Sequence, residues 1–373
     1  MKILVVKVAA IGDFLMATPA LRALKRAPEV SAVHLLAGRS IAAVAGGHPD
    51  VDRVFFLDDR RIFHGNPLSR AVEVLRISRT LRRQKYDVGI NFHRDWRFSI
   101  ILLLAGCRRR IGFRRGPVNP LLLTDSVSVE GIKHHLFHYC DPLKVLGVFC
   151  LDFKMAFPLD GGAEEAAARK FLDPEGLADY VVLAPGGAAN VKEEMGSRRW
   201  PSENFSVLAG LLLRSGRRVV LVGSGPDAVI AARVKAEQPA AVDLTGRTTL
   251  AEAAAILKRS QGVVCNDAGL MHLAAAVGAR VISIFGPTHP DEKKPLGEGS
   301  VAIWKGEELE CSPCYHEGAF PKCNHLTCLR KITPQEVFQT AESMLGEDKG
   351  KAEGREREER GKKREDGEKP SHH

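Results

Sequence analysis

The chain opens on a near-continuous apolar run, "MKILVVKVAA" (1–10). Such a run predicts a strand buried on both faces, as in a parallel sheet covered by helices on each side. In "IGDFLMATPALRALKRA" (11–27) the apolar positions take on helical spacing, and Thr18-Pro19 reads as the cap and first residue of that helix. "VSAVHLLAG" (30–38) and "DRVFFLDD" (52–59) repeat the strand pattern, "LRISRTLRRQKYD" (75–87) is a basic helix, and "YDVGINFH" (86–93) returns to strand. Strands alternating with helices at this spacing imply a doubly wound parallel sheet.

A second alternation follows. "DYVVLAPGG" (179–187), "RRVVLVGSG" (217–225), "GVVCND" (262–267) and "RVISIFGP" (280–287) read as strands. Between them lie helices over "PSENFSVLAGLLLRSG" (201–216), "DAVIAARVKAE" (227–237) and "GLMHLAAAVG" (269–278), with another in "TTLAEAAAILKRS" (248–260) opened by a Thr249/Glu252 capping box. Pro and Gly punctuate 151–176 and place the boundary there. The expected organisation is a Rossmann-like domain over 1–158, a linker over 159–176, a second Rossmann-like domain over 177–345, and a tail over 346–373. The tail carries balanced charge and almost nothing to bury, which predicts disorder.

Charge is distributed unevenly along the chain. The net charge is +9, but residues 1–150 carry +12 and the remainder −3. The first half is therefore suited to an anionic partner. Nucleic acid is a poor fit, because aromatic residues for base stacking are scarce in the basic segments. The first apolar run breaks at Lys7, too early for a secretory signal. "SIILLLAGC" (99–107) is far shorter than the ~20 residues of a spanning helix. The expected location is cytoplasmic, with a membrane touched at most from its surface, and the eight cysteines are expected to be reduced.

In open parallel sheets, ligands sit beyond the carboxyl ends of the strands, against helix N-termini. "NDAGLMHLAAAVG" (266–278) offers such a terminus, suited to a diphosphate. Gly269 and Gly286 would allow close backbone approach. Asp267 would repel phosphate, so it reads better as facing a sugar hydroxyl or holding the loop; a plain cap, with His272 as a core histidine, is the bland alternative. Gly12-Asp13 ends the first strand in the same way, and Asp13 reads as a helix cap or as a base aimed into a cleft. Neither this site nor "VGSGPD" (222–227) has the GxGxxG spacing of dinucleotide folds.

Taken together, "KVAAIGDFLMATPALRALK", "APGG…RRWPSENF", "VVLVGSG", "DLTGRTTLAEAAAIL" and "NDAGLMHLAAAVGARVISIFGPTHP" resemble the bacterial heptosyltransferases of glycosyltransferase family 9, over about residues 1–345. The resemblance implies an α/β GT-B fold: two facing Rossmann-like domains with an interdomain cleft, acceptor on the first and nucleotide sugar on the second. It implies an inverting glycosyltransferase that moves heptose from ADP-heptose to a lipopolysaccharide inner-core acceptor, with no required cofactor. Asp13 matches the family's general base, worth roughly 10²–10⁴ in rate. Asp267, Ala268, Gly269, Leu270, Met271 and His272 match the donor loop. Arg198 stands where family members often have lysine, keeping the charge with different reach; Lys192 is a rival for that phosphate role. Thr248 and Asp227 fall on donor-side loops.

The basic first half then has an expected partner, an anionic lipid-linked saccharide of the Kdo-lipid A type, met by Arg94, Arg97 and the "CRRRIGFRR" segment (107–115) with Arg109. Cys311, Cys314, Cys323 and Cys328, with His316 and His325 among them, read as a thiol-lined turn in preference to tetrahedral zinc, so no metal site is assigned. Competing readings are a related transferase using another nucleotide sugar in surface-glycan synthesis, a nucleotide-dependent oxidoreductase, and a non-catalytic binding protein of the same fold.

Overall fold

The computed structural model describes residues 1–129, 131–189, 194–297, 299–314 and 323–346. Apart from Gly346, the expected tail lies outside the described residues, as do Lys192 and His316.

The first half contains β1 (Lys2–Val6), α1 (Ile11–Arg26), β2 (Ala32–Gly38), α2 (Ala42–Ala45), β3 (Arg53–Leu57), α3 (Asp59–His64), α4 (Pro67–Arg82), β4 (Val88–Asn91), α5 (Trp96–Leu104), β5 (Arg109–Phe113), α6 (Asn119–Leu122), β6 (Asp125–Val127) and α7 (His135–Lys144). The second contains α8 (Gly161–Ala167), β7 (Tyr180–Ala184), α9 (Ser202–Arg214), β8 (Arg218–Leu221), α10 (Ala228–Glu237), β9 (Val242–Asp243), α11 (Leu250–Arg259), β10 (Gly262–Asn266), α12 (Gly269–Ala276), β11 (Val281–Phe285), α13 (Pro290–Lys293), β12 (Val301–Trp304) and α14 (Thr327–Arg330). A final helix runs over 334–346.

The strands form two six-stranded sheets, ordered β3-β2-β1-β4-β5-β6 and β12-β11-β10-β7-β8-β9. Every pairing is parallel. Each sheet is doubly wound from its central strand, so the expected α/β architecture of two Rossmann-like units is present. The apolar runs arise because β1, β7, β10 and β11 are covered on both faces. One core cluster, with Phe14, Leu21 and Tyr139 from the first half and Met271, Leu273 and Phe285 from the second, is shared by both units. No helix among the described residues is long and apolar enough to cross a membrane.

Three local expectations are corrected. The first helix starts at Ile11, and Pro19 lies inside it. Proline has no N–H to give to the carbonyl of Leu15 four residues earlier. The Thr18 hydroxyl donates to that carbonyl instead, at 2.7 Å, so the helix continues through the proline. Asp13 therefore sits in the first turn of α1 rather than in a loop. Second, the thiols are not all free. The chain after α7 turns back until the Cα atoms of Cys140 and Cys150 are 6.0 Å apart, and the two are joined as a disulfide. Third, Gly286 serves packing rather than ligand approach, since a side chain there would meet Leu329 at 2.8 Å. In the stretch expected to link the halves, α8 is capped by Asp160 and anchored to α11 through Glu164, which pairs with Lys258 and Arg259.

The capping box of Thr249 and Glu252 is formed at α11. More important for the site, α1 packs on both α7 and α12. The first turns of α1 and α12 meet head to head: a Cβ built on Gly269 would lie 3.7 Å from the Gly12 nitrogen, and one on Gly12 only 2.5 Å from Cδ2 of His272. A methyl group at Gly12 thus cannot fit against the buried imidazole without moving it. Gly12→Ala is expected to leave the circular dichroism spectrum intact while pushing the two helix ends apart and lowering turnover at least about tenfold, since ångström-scale misplacement of reacting groups has costs of that order. Wild-type turnover in this variant would show that the helix contact does not set the site.

Candidate active site

The residues following β1, β4 and β5 face those following β7, β8, β10 and β11 across one cavity of about 900 Å³. This is the strand-end location where α/β sheets hold ligands, in the upper part of the usual volume range. Its walls include Lys7, Gly12, Asp13, Arg94 and His135 from the first half, and Arg198, Ala268, Gly269, His272 and Lys293 from the second.

Asp13 is placed by the first turn of α1, with its side chain 34% exposed into the cavity. Lys7, itself buried, holds it: the ammonium nitrogen is 3.4 Å from the Asp13 carboxylate and donates to the Ala9 carbonyl at 2.7 Å. The same ammonium lies 5.3 Å from the centre of the Tyr139 ring. Burial pushes the Asp13 pKa up, but Lys7, Lys293, His135 and His272 act against it, and the net result is a carboxyl held well below its usual range. The histidines remain neutral near pH 7. Burial is the first cause in each case, taking His272 and His138 down to about 4 and His135 well below 6.5.

On the opposite wall, α12 begins at Gly269 with no side-chain cap on its N-terminus. Its first amides are therefore available to an anion. Asp267 does not line the cavity. It is buried behind the loop, where one oxygen pairs with Arg198 and the other accepts from the Thr288 hydroxyl at 2.5 Å. Its pKa is pushed up by burial and brought below normal by Arg198 and Lys293, with Thr288 adding a hydrogen bond. The neighbouring Asn266 side chain accepts from Trp200 N–H at 2.9 Å and donates to the carbonyls of Pro185 and Gly186, both at 3.0 Å. Asp227 accepts from Gly187 N–H at 2.7 Å and Ser224 N–H at 2.9 Å. Three loops of the second sheet are thereby locked together by buried side chains.

Of the donor-side expectations, Arg198, Ala268, Gly269 and His272 face the cavity, while Asp267 positions Arg198. Met271 enters the core and Leu270 packs half-buried against it, and Thr248 is not in the cavity wall. Of Arg94, Arg97 and Arg109, Arg94 alone lines the cavity. Arg97 is paired with Asp95 and reaches the Ile62 carbonyl at 3.4 Å. Arg109 stands at the start of β5, the end away from the cavity-lining Phe113, and is paired with Asp125 at 2.9 Å. From the same segment, Arg115 lines the cavity.

Sequence reasoning missed Lys7, His135, Asn266 and Lys293. Lys7 carried a signal, a charge inside an otherwise buried strand run, which is costly unless paired. The thiols Cys311, Cys314, Cys323 and Cys328, with His325, Ser197 and Pro287, line a separate cavity of about 10 Å³. Among the described residues no group of three or more His, Cys, Asp or Glu is arranged to hold a metal ion.

The Asp267–Arg198 pair predicts a measurable coupling. Asp267→Asn leaves a buried guanidinium without its counter-charge, a change of about 3–5 kcal/mol in stability for pairs of this kind. It is expected to weaken ADP at least about tenfold, equivalent to about 1.4 kcal/mol, and Arg198→Ala should do the same. Calorimetry showing unchanged ADP affinity in both would separate this pair from the donor.

Comparison with known proteins places this geometry. Residues 74–325 match the profile of glycosyltransferase family 9 (heptosyltransferase). The chain is 27% identical to lipooligosaccharide heptosyltransferase 2 of Haemophilus ducreyi, over 92% of this chain and 99% of that protein. Its fold is similar to that of E. coli ADP-heptose LPS heptosyltransferase II, with a TM-score of 0.73 at 23% identity, covering 94% of this chain and 100% of the other. It is also similar to E. coli heptosyltransferase WaaC with ADP-2-deoxy-2-fluoro heptose, with a TM-score of 0.67 at 22% identity over 92% and 99% of the two chains. The two facing doubly wound sheets are thus a GT-B fold, and the chain, matched over more than half its length, belongs to glycosyltransferase family 9.

Proposed function

We propose that this glycosyltransferase moves a heptose from ADP-heptose to an anionic, lipid-linked inner-core acceptor of the Kdo-lipid A type, at the cytoplasmic face of the inner membrane. The observation that carries the reading is the pairing across one cavity of the Asp13 carboxylate with the uncapped N-terminus of α12. Named relatives covering nearly all of the chain are lipooligosaccharide and lipopolysaccharide heptosyltransferases.

In the proposed reaction, the diphosphate of the donor sits against the Ala268–Gly269 amides, Arg198 and Lys293. An acceptor hydroxyl, entering from the side of Arg94 and Arg115, attacks the anomeric carbon opposite the diphosphate. The new C–O bond forms as the bond to the β-phosphate oxygen breaks. The hydroxyl proton passes to Asp13, and ADP leaves with its charge compensated by the α12 amides and the two cations. Inversion follows from the opposite placement of base and leaving group. No cofactor is required in this scheme, since the protein's own cations supply the compensation.

A base with so low a pKa is weak by itself. Donor binding eases this in part, because the diphosphate would offset Lys293, the charge that depresses Asp13 most after Lys7. The carboxylate becomes more basic when the sugar is in place.

Asp13→Asn is expected to retain ADP binding and to lose about 10²–10⁴ in kcat, with the product from defined truncated cores read by mass spectrometry; near wild-type kcat would remove Asp13 from the base role. The pH profile gives an independent check. Asp13 is already ionised, and His272 and His138 already neutral, above about pH 5. A lowered pKa means that the active form is lost only as pH falls below this range. kcat/KM should therefore be flat between about pH 5.5 and 8. An acid limb with an apparent pKa of about 6.5, the ordinary histidine value, would transfer the base role to an imidazole.

A further inference from the structure

We infer that the outer face of helices α3 to α6 is a docking surface for an anionic lipid bilayer. The inference deepens the proposed function, since it identifies the face that meets the membrane carrying the acceptor.

Charge is the first observation. Residues 60–122 hold 15 Lys and Arg against three acids, so this segment accounts for the whole +12 of the first half. None of the three acids is freely exposed: Glu73 is buried, and Asp87 and Asp95 are half-buried, with Asp95 paired to Arg97.

Apolar exposure is the second. Of fifteen large apolar side chains exposed among the described residues, twelve lie in residues 1–153 and three in the second half. On α4, Leu68, Val72 and Leu75 fall at i, i+4 and i+7, one stripe continued by Arg79, while Glu73, Ile77 and Leu81 face the core. Leu68 is 74% exposed. Alongside, α5 exposes Trp96 and Leu103, seven residues apart on one face, and α6 exposes Leu121 at 83%. α3, α4 and α5 cover the same face of the first sheet, where Ile62, Ile77, Leu81, Phe98 and Leu102 share one core cluster, and α6 packs beside α5. A basic helix face with a leucine and valine stripe, flanked by a tryptophan, is the composition that lies in a bilayer interface.

Continuity with the cavity is the third observation. Trp96 belongs both to this face and to the cavity wall, and Arg115 and Gly116 line the cavity just before α6. An acceptor anchored in the bilayer would reach Asp13 over this rim without leaving the membrane.

The test uses the full chain with vesicles of phosphatidylglycerol and phosphatidylethanolamine, and with vesicles of phosphatidylcholine alone. Flotation should show binding to the anionic vesicles that weakens with added salt. It should fall at least tenfold for the triple variant Leu68→Asp, Val72→Asp, Leu75→Asp and for Arg79→Glu, Arg82→Glu, Arg83→Glu. ADP affinity should be unchanged in both, which reports correct folding. Absence of wild-type binding, or binding unaltered in both variants, overturns the inference. Self-association in sedimentation equilibrium that the apolar variant abolishes would overturn it in favour of a second copy on this face. Transfer to a deacylated, water-soluble acceptor separates the two readings. Transfer without vesicle binding sinks the surface alone, whereas vesicle binding without transfer to any acceptor supports the surface and sinks the substrate.

Discussion

The close contact between the first turns of α1 and α12 is the constraint on which the site depends. Two helix N-termini, one from each sheet, abut where Gly12 leaves room for the His272 ring. Each terminus brings a partial positive charge, and Lys7, Lys293, Arg94, Arg115 and Arg198 line the same cavity. Asp13 stands among them as the carboxylate at the joint. Moving either helix by the size of a methyl group would change both the potential at Asp13 and its distance from the donor loop. The shared core behind the contact, with Phe14 on one side and Met271 on the other, holds that distance.

Asp267 resolves an apparent contradiction in the same terms. A carboxylate beside a diphosphate pocket would repel the ligand if it faced the pocket. Buried behind the loop, it turns the Arg198 guanidinium into a fixed cation and, through Thr288, ties the end of β10 to the turn after β11. The unfavourable burial of one charge is offset by pairing, and the result is a positive group whose direction is set before any ligand arrives. Asn266 does the equivalent work with a neutral amide, which can donate and accept at once.

How much of this was legible depended on whether the physics was local. The strand–helix alternation was readable because strands covered on both faces leave continuous apolar runs, as in "KILVV" and "VISIF". Thr18-Pro19 misled because a local cap signal was overridden by the Thr18 hydroxyl bonding the carbonyl that Pro19 leaves free. Asp13 and the loop at 267–272 stood out through resemblance; the repulsion between Asp267 and a phosphate pointed to a loop-holding role, but nothing local said that its partners would be Arg198 and Thr288 or that Met271 would enter the core. Lys293 and His135 became site residues only through tertiary convergence, arriving from helices that follow different sheets. Arg109 and Arg94 look alike in sequence; their separation comes from which end of a strand each occupies, a distinction of a few residues in register. Cys140 and Cys150 gave no sign of pairing because their approach depends on the turn after α7.

The charge around Asp13 has a consequence for the order of events in the proposed reaction. The cavity wall holds more cationic than anionic side chains, and the Asp13 carboxyl is held well below its usual range, chiefly by Lys7 and then Lys293. Two anionic ligands are expected, a diphosphate on one wall and a phosphorylated or carboxylated saccharide on the other. In the proposed reaction the diphosphate meets Lys293, the cation from the second half that acts on Asp13, Asp267 and His272 together. Arg94 and Arg115 line the first-half side of the cavity, where the proposed acceptor enters. In the proposed scheme, donor binding raises the basicity of the carboxylate when a hydroxyl can be used productively. The α1–α12 contact fixes the distance across which the two charges act on each other.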